Sequence, residues 1–350
     1  VGELKEIEQG LNEPQPKVSS TQGYGRVDKA AAWLLLARLY MNAEVYTGTA
    51  DWADAKTYAK KVIDSPYKLY TAKKGQWSAY QQLFMGDNGE NGSSVEAIFP
   101  ILQDGKKTTS WGTTLFLMAG CNDNKERVKS ATEKGNNTTE GWAGNRMRPD
   151  LVQKFFPNND APNISAYAMP AAADDDRALF DGDGRNVTNG DDENGVKVFT
   201  NGFSVCKFNN FKTDGSAGHD SKFPDADFFL MRAAEAYLMY AEADARQNGG
   251  TTTADGAKYI NELRSRAHAT THTAYSLRQI CDEWSREFYF EGLRRTTLIR
   301  FGYFGGNVNY NWSWKGGVKN GRNFDAHFNL FPIPTSDLTA NGNLAQNPGY

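Results

Sequence analysis

The stretch DFFLMRAAEAYLMYAEADARQNGGTTTADGAKYINELRSRA, residues 227–267, is too apolar in its first half to be a surface helix. Wound at about 100° per residue, Phe228, Phe229, Leu230, Met231, Tyr237, Leu238 and Met239 point in several directions, which predicts a helix inside the protein rather than on its surface. On the same winding Arg232, Glu235, Glu242 and Arg246 share one narrow stripe, with Glu242 and Arg246 at i,i+4, so the stripe is expected to pair with itself. Gly249 and Gly250 supply a stop and the threonines after them an N-cap. A second helix follows with Ala257, Ile260, Leu263 and Ala267 on one side, giving a helical hairpin.

Upstream, residues 1–25 are polar and carry Pro14, Pro16 and Gly23, the pattern of a short helix and a loop. Asp28 is placed to cap a helix over 29–46, in which Leu35, Leu39 and Asn42 or Ala43 are expected to share a face. After a break at Gly48, a helix over 52–64 keeps Ala55, Ala59, Val62 and Ile63 in step and ends at Ser65-Pro66. Trp52 at its start, with alanines at close-approach positions, makes this pair similar to a tetratricopeptide unit. The pairs stand too far apart for a regular solenoid.

Downstream, 276–300 is a long helical pattern with Leu277, Ile280, Trp284 and Phe288 as its buried stripe. Glu287 and Glu291 project to nearly the same side, as does Arg294 if the helix runs through Gly292. Charges on a buried face must be paired or they cost several kcal/mol each, so an internal network of Glu287 and Glu291 with arginines is expected.

Between the helical pairs, residues 70–224 are irregular. VEAIFPIL (95–102) reads as a strand and MRPDLVQKFF (147–156) as a short helix opened by Pro149. Turn chemistry clusters at 86–89 and 181–195, and loops this long in a compact protein commonly carry function. The chain is therefore expected to be mainly α, with tetratricopeptide-like helix pairs, a large loop-rich excursion and a few short strands. We read one domain over 1–350: a helical hairpin at 27–65, a ligand-binding excursion at 70–224, a helical core at 225–300 and C-terminal loops at 301–350.

Charge and composition narrow the chemistry. A net charge of −3 with no Lys/Arg block lacks the electrostatic footprint of a nucleic-acid binder. Cys121, Cys206 and Cys281 are far apart and have no metal-ligand spacing. The apolar run at 30–37 is too short to span a bilayer. Aromatics at 13% together with 34 glycines point to loops bearing Tyr and Trp, surfaces that meet flat apolar ligands such as sugar rings. Trp111, Trp142 with Asn145 and Arg146, and Trp312 with Trp314 sit in predicted loops with the polar neighbours that sugar hydroxyls require. The competing expectation for each is that it packs its loop onto the helices. Trp77, Tyr80 and Phe84 have helical spacing and are expected in the core.

Other constellations argue against catalysis. Asp174, Asp175, Asp176, Asp181 and Asp183 form the densest acidic cluster, but Arg185 interrupts it and no Glu closes a calcium loop. A glycosidase needs two acids facing across a cleft, whereas Glu287 and Glu291 lie on a core-facing helix. His219, His268, His272 and His327 are scattered, with no accompanying catalytic motif. We expect neither an enzyme nor a cofactor.

In order, RVDKAAAWLLLARLYMNAEVY, WADAKTYAKKVIDSPYKLY, FFLMRAAEAYLMYAEADA, YINELRSRA, EFYFEGLRRTTLIRFG, LFPIPTSDL and QNPGY resemble the SusD/RagB family of outer-membrane nutrient-binding lipoproteins. The resemblance implies a helical scaffold, a loop-built glycan site, and a cell-surface protein held in the outer membrane by a lipid anchor. It also implies a SusC-type TonB-dependent transporter as partner, with oligosaccharide or another nutrient as cargo, and it casts Asp175-Asp176-Arg177 as a structural ion-pair turn. The family normally has a substantial segment, including the lipidated cysteine, upstream of the position equivalent to Gly25, so the anchor is expected of the parent protein. The alternative is a helical-repeat scaffold that binds protein and has no glycan site.

Overall fold

The computed structural model of the chain describes residues 1–123, 136–186 and 198–350. Its helices in chain order are α1 (Gly2–Gly10), α2 (Lys29–Met41), α3 (Ala43–Thr47), α4 (Trp52–Asp64), α5 (Ala79–Gln82), α6 (Thr113–Ala119), α7 (Pro149–Val152), α8 (Met169–Ala173), α9 (Ala233–Gln247), α10 (Ala254–Arg266), α11 (Leu277–Phe288), α12 (Arg294–Arg300) and α13 (Thr335–Ala340). Four short strands join them: β1 (Ala97–Ile101), β2 (Phe180–Asp181), β3 (Ser204–Val205) and β4 (Phe228–Arg232). The mainly helical architecture is the one the periodicity indicates.

Helix α9 is the axis of the scaffold. It packs on α4, α10, α11 and α2, and Ala233 through Ala245 are all buried. Its alanines let the neighbouring helices approach closely, while Tyr237, Leu238, Met239 and Tyr240 fill the spaces between them. On α4 the buried set is Ala55, Tyr58, Ala59, Val62 and Ile63, matching the predicted face. The Asp28 side chain caps α2 by accepting from the Ala30 amide at 2.9 Å. Trp77, Tyr80 and Phe84 are core residues, as their spacing indicates.

Four expectations are corrected. Residues 228–232 form β4, antiparallel to β1, with Ala97 opposite Arg232 and Ile101 opposite Phe228. A short apolar run cannot be told from a buried helix by periodicity, and the partner strand decides it. The predicted helix over 29–46 breaks at Asn42, and its buried face runs through Leu34, Ala37 and Met41, because α2 is apolar on nearly every side. The long pattern at 276–300 splits where Phe290 and Gly292 take left-handed backbones (φ 62° and 82°), which carries Arg294 away from the glutamates. The charged stripe pairs with itself only at Glu242–Arg246 (3.0 Å); Glu235 binds Arg38 at 2.6 Å and Arg232 turns elsewhere.

Arg232 sits where β4 becomes α9, at the centre of a buried ion network. Its guanidinium donates to Glu96 (2.8 Å), Glu287 (2.7 Å) and Glu291 (2.7 Å), so one side chain ties β4 to the turn before β1 and to the far end of α11. Arg266 of α10 joins Glu96 at 3.1 Å and also binds Glu287. Arg177 holds Asp175 (2.8 Å), Glu283 (2.6 Å) and Glu287 (3.2 Å), which makes the Asp175-Asp176-Arg177 turn a structural ion pair. Lys207 reaches Glu291 at 2.7 Å; burial lowers its pKa to about 8 despite that carboxylate. The expected arginine network around Glu287 and Glu291 is thus present, with Arg294 replaced by cations distant in sequence. A smaller network gathers Arg300 (2.8 Å), Arg246 (3.0 Å) and the Trp284 indole (2.9 Å) on Glu242.

Removing one member of such a network strands a buried charge. Arg232→Met is expected to cost about 3–5 kcal/mol in denaturant unfolding, against less than about 0.5 kcal/mol for Lys60→Ala in the exposed Lys60–Asp64 pair. The network also sets the acid limit. Burial alone would raise the pKa of Glu283, but Arg177, Arg286 and Arg264 outweigh it and lower the value to about 2 from 4.5. A depressed folded-state pKa contributes stability above the ordinary value and loses it as pH falls through the folded one, so unfolding midpoints should drop between about pH 4.5 and 2. Asp227 acts in the opposite sense, since burial raises it to about 6 and proton uptake there favours the folded chain. The loss should therefore begin only below about pH 4.5; a midpoint flat down to pH 2 would contradict the assignment.

Candidate functional site

The C-terminal end of α6 leaves carbonyls without intrahelical donors, and residues 142–145 supply them. Trp142 N–H donates to the Ala119 carbonyl (2.8 Å), Ala143 to Asn122 (3.0 Å), and Gly144 (2.9 Å) and Asn145 (2.5 Å) both to Gly120. A Cβ on Gly120 would lie 2.7 Å from the Asn145 side-chain Nδ2 and from the Phe116 carbonyl oxygen, and the clash with that backbone oxygen calls for glycine there. This stapling fixes Trp142 beside Trp111, which lies one residue before the Gly112 N-cap position of α6. Their ring centroids are 6.2 Å apart with planes inclined at 32°.

Both indoles face solvent: Trp111 is 54% exposed and Trp142 39%. Phe116 of α6, 49% exposed, extends the surface at 6.2 Å from Trp142. Phe223 buttresses Trp111 edge-on at 5.5 Å. Charges rim the rings: Lys222 Nζ lies 5.2 Å from the Trp111 ring and 3.4 Å from Glu140, whose other oxygen accepts from the Trp142 indole at 3.1 Å. Three large rings held open to water cost hydration free energy that the core could have recovered, and exposed apolar patches of this kind mark binding surfaces.

Asn145 and Arg146 continue from the platform into a groove of about 470 Å³ lined also by Phe116, Phe290, Arg294 and Arg295. Arg146 is held from behind by the carbonyls of Asn201 (2.7 Å) and Gly144 (3.2 Å). The groove shares Arg146, Phe288, Phe290, Arg294 and Arg295 with a cleft of about 570 Å³, where Trp312 lines the far side. Trp312 is half-buried, stacked on Phe304 at 6.1 Å and backed by Lys315, whose ammonium donates to the Tyr310 carbonyl at 2.6 Å. Trp314 does not line this cleft; its backbone is left-handed (φ 67°) and its indole nitrogen is buried without a partner among the described residues. The predicted site residues therefore divide: Trp111, Trp142, Asn145 and Arg146 are brought together, Trp312 stands across the adjoining cleft, and Trp314 is apart.

Phe116, Phe223, Lys222 and Glu140 join this surface beyond the residues expected from the sequence. Only Phe116 had a signal, as the outward apolar position on a helix whose Leu115, Met118 and Ala119 turn inward. A larger cleft of about 1060 Å³ runs beside α10 but presents no exposed Trp, Tyr or Phe. Glu287 and Glu291 are sealed in the arginine network and face no cleft as a pair. Among the described residues no group of three His, Cys, Asp or Glu could hold a metal ion, and no helix is long and apolar enough to cross a membrane. The turn-rich stretch expected at 181–195 lies partly outside the described residues; within them Asp181 accepts from the backbone of Ala166 at 3.0 Å and of Asp183 at 2.9 Å.

Residues 175–350 match the model of the SusD family. The chain is 42% identical over 380 residues to the starch-binding protein SusD of Bacteroides thetaiotaomicron, covering 99% of this chain and 64% of that protein, so it spans less than two thirds of its relative. Among solved structures, a SusD superfamily protein of Parabacteroides distasonis is similar with a TM-score of 0.65 at 18% identity, covering 100% of this chain and 67% of its own. Surface glycan-binding protein A of Bacteroides thetaiotaomicron, solved with laminarihexaose, has a TM-score of 0.62 at 22% identity, covering 99% and 69% respectively. These two likenesses establish the fold. The family-model match takes in α9 to α13, while Trp111 and Trp142 precede it.

Trp111 and Trp142 are the two exposed indoles of the eight tryptophans. Iodide quenching should therefore reach a fraction of the fluorescence that disappears in the Trp111→Phe/Trp142→Phe double variant. An unchanged quenchable fraction would place other indoles at the surface.

Proposed function

Because this chain belongs to the SusD family, we propose that it is a non-catalytic oligosaccharide-binding protein that grips its ligand on the Trp111–Trp142 platform. The observation that carries the reading is the pair of solvent-facing indoles side by side, with Phe116 beyond them. The C–H face of a pyranose stacks on such rings, and the rim of Glu140, Lys222, Asn145 and Arg146 offers both acceptors and donors to the hydroxyls. The 42%-identical relative is a starch-binding protein, which makes an α-glucan the first ligand to try. Hydrolysis calls for two carboxyl groups roughly 5–10 Å apart across the scissile bond. Glu287 and Glu291 are instead committed to arginines, which speaks for binding without turnover.

Family membership supports the rest of the proposal: display at the outer-membrane surface on a lipid anchor belonging to the parent protein, and delivery of the oligosaccharide to a SusC-type TonB-dependent transporter. The helical-repeat scaffold reading predicts no glycan affinity at all and is separated by the same experiment.

Calorimetry of the full-length protein with maltooligosaccharides should show saturable binding and no released reducing sugar. Trp111→Ala and Trp142→Ala should each weaken it at least about tenfold, some 1.4 kcal/mol or more, with unfolding midpoints unchanged. Unaltered affinity in both variants would remove the platform from the account, and released sugar would make the protein an enzyme.

A further inference from the structure

The trough leading away from the platform gathers basic side chains although the chain as a whole carries a net charge of −3. Among the described residues the joined groove and cleft are lined by Arg146, Arg148, Lys154, Arg278, Arg294 and Arg295, with Asp150 as the acid in the lining. Part of that charge is neutralised, since Lys154 pairs with Asp282 at 2.8 Å. Arg294 and Arg295 are different. Arg294 donates to the Cys281 carbonyl (2.8 Å) and the Tyr310 hydroxyl (2.6 Å), and Arg295 to the carbonyls of Phe328 (2.8 Å) and Asn329 (3.1 Å); neither pairs with a carboxylate of the described residues.

Neutral acceptors thus aim both guanidiniums without cancelling their charge. Arg295 is further clamped between Phe331 (3.9 Å) and Phe304 (5.0 Å), which leaves its Nε and Nη1 without a hydrogen-bond partner among the described residues. At the other end Arg278, 53% exposed, lies over the Tyr310 ring at 4.3 Å, and Asp282 approaches it only to 4.0 Å. The break between α11 and α12 delivers the pair here, and it holds Phe290 in a left-handed conformation that a non-glycine residue adopts at a cost. Guanidiniums fixed in a half-dry groove between two aromatic surfaces suit a planar or tetrahedral oxyanion.

Resting on the glycan reading above, we propose that this trough is a subsite for the carboxylate or sulfate of an acidic oligosaccharide whose neighbouring sugar stacks on Trp111 and Trp142. The preferred ligand is then a uronate-containing or sulfated glycan, with a neutral glucan held more weakly by the platform alone.

The test titrates the full-length protein, at low and at high ionic strength, with a galacturonate oligomer, a sulfated oligosaccharide and a neutral maltooligosaccharide of equal length. One of the acidic ligands should bind about tenfold more tightly than the neutral one at low salt and lose that advantage at high salt. Which of the two does so identifies the anion. Arg295→Gln and Arg278→Gln should each weaken the acidic ligand about three- to tenfold while moving the neutral one less than about twofold. Equal binding of acidic and neutral ligands, or equal losses in these variants, overturns the subsite and leaves the platform standing. Trp111→Ala that binds every ligand as the wild type does overturns the subsite together with the reading it rests on.

Discussion

One buried arginine sets the geometry of this protein. Arg232 ends a strand, opens the central helix, and spends its guanidinium on three carboxylates from two other places in the chain. An unpaired charge in that position would cost several kcal/mol, so β1, β4, α10 and α11 must meet with the correct register or the fold loses more than it gains. The network is thus a constraint on assembly as much as a source of stability. Hydrophobic packing around α9 supplies the driving force, and the ions decide which of several compact arrangements is the low one.

The proposed binding surface is held in a different way. Trp111 and Trp142 come from segments with little regular structure, and what joins them is backbone: the orphan carbonyls at the end of α6 are met by the amides of 142–145. Capping a short helix and building an aromatic platform are here the same event. Rigid helices therefore anchor the base of the excursion, and a few main-chain hydrogen bonds aim its rings. Beyond the platform, the kink at Phe290 and Gly292 ends α11 where its glutamates are still inside the core and restarts the helix with Arg294 and Arg295 half-exposed, while Arg300 at its end returns to the core on Glu242. The same short turn separates buried from available charge.

Much of this was legible in the residues, and the rest was not for definite reasons. The cap at Asp28 and the alanine face of α4 follow from local rules and appear as expected. The need for cations around Glu287 and Glu291 could be read from burial alone, but their identities could not: Glu96 and Arg232 are 136 residues apart, and Arg177 and Glu287 are 110. Residues 228–232 deceived because an all-apolar pentamer has no period, and α2 because nearly every side of it is apolar. Trp111 and Trp142 stood out singly by type and setting. Their adjacency depends on a loop crossing that no spacing encodes, and Trp312 and Trp314, two residues apart, part company because the left-handed turn at Trp314 separates them.

On the proposed reading, helices and buried ions hold still while exposed indoles take the sugar. A crystal structure of the full-length protein with a bound oligosaccharide tests it most directly. Density for a pyranose is expected over Trp111 or Trp142, with Arg232, Glu287 and Glu291 placed as they are here. A saccharide seated in the cleft beside α10, with both indoles covered by other parts of the protein, would contradict it.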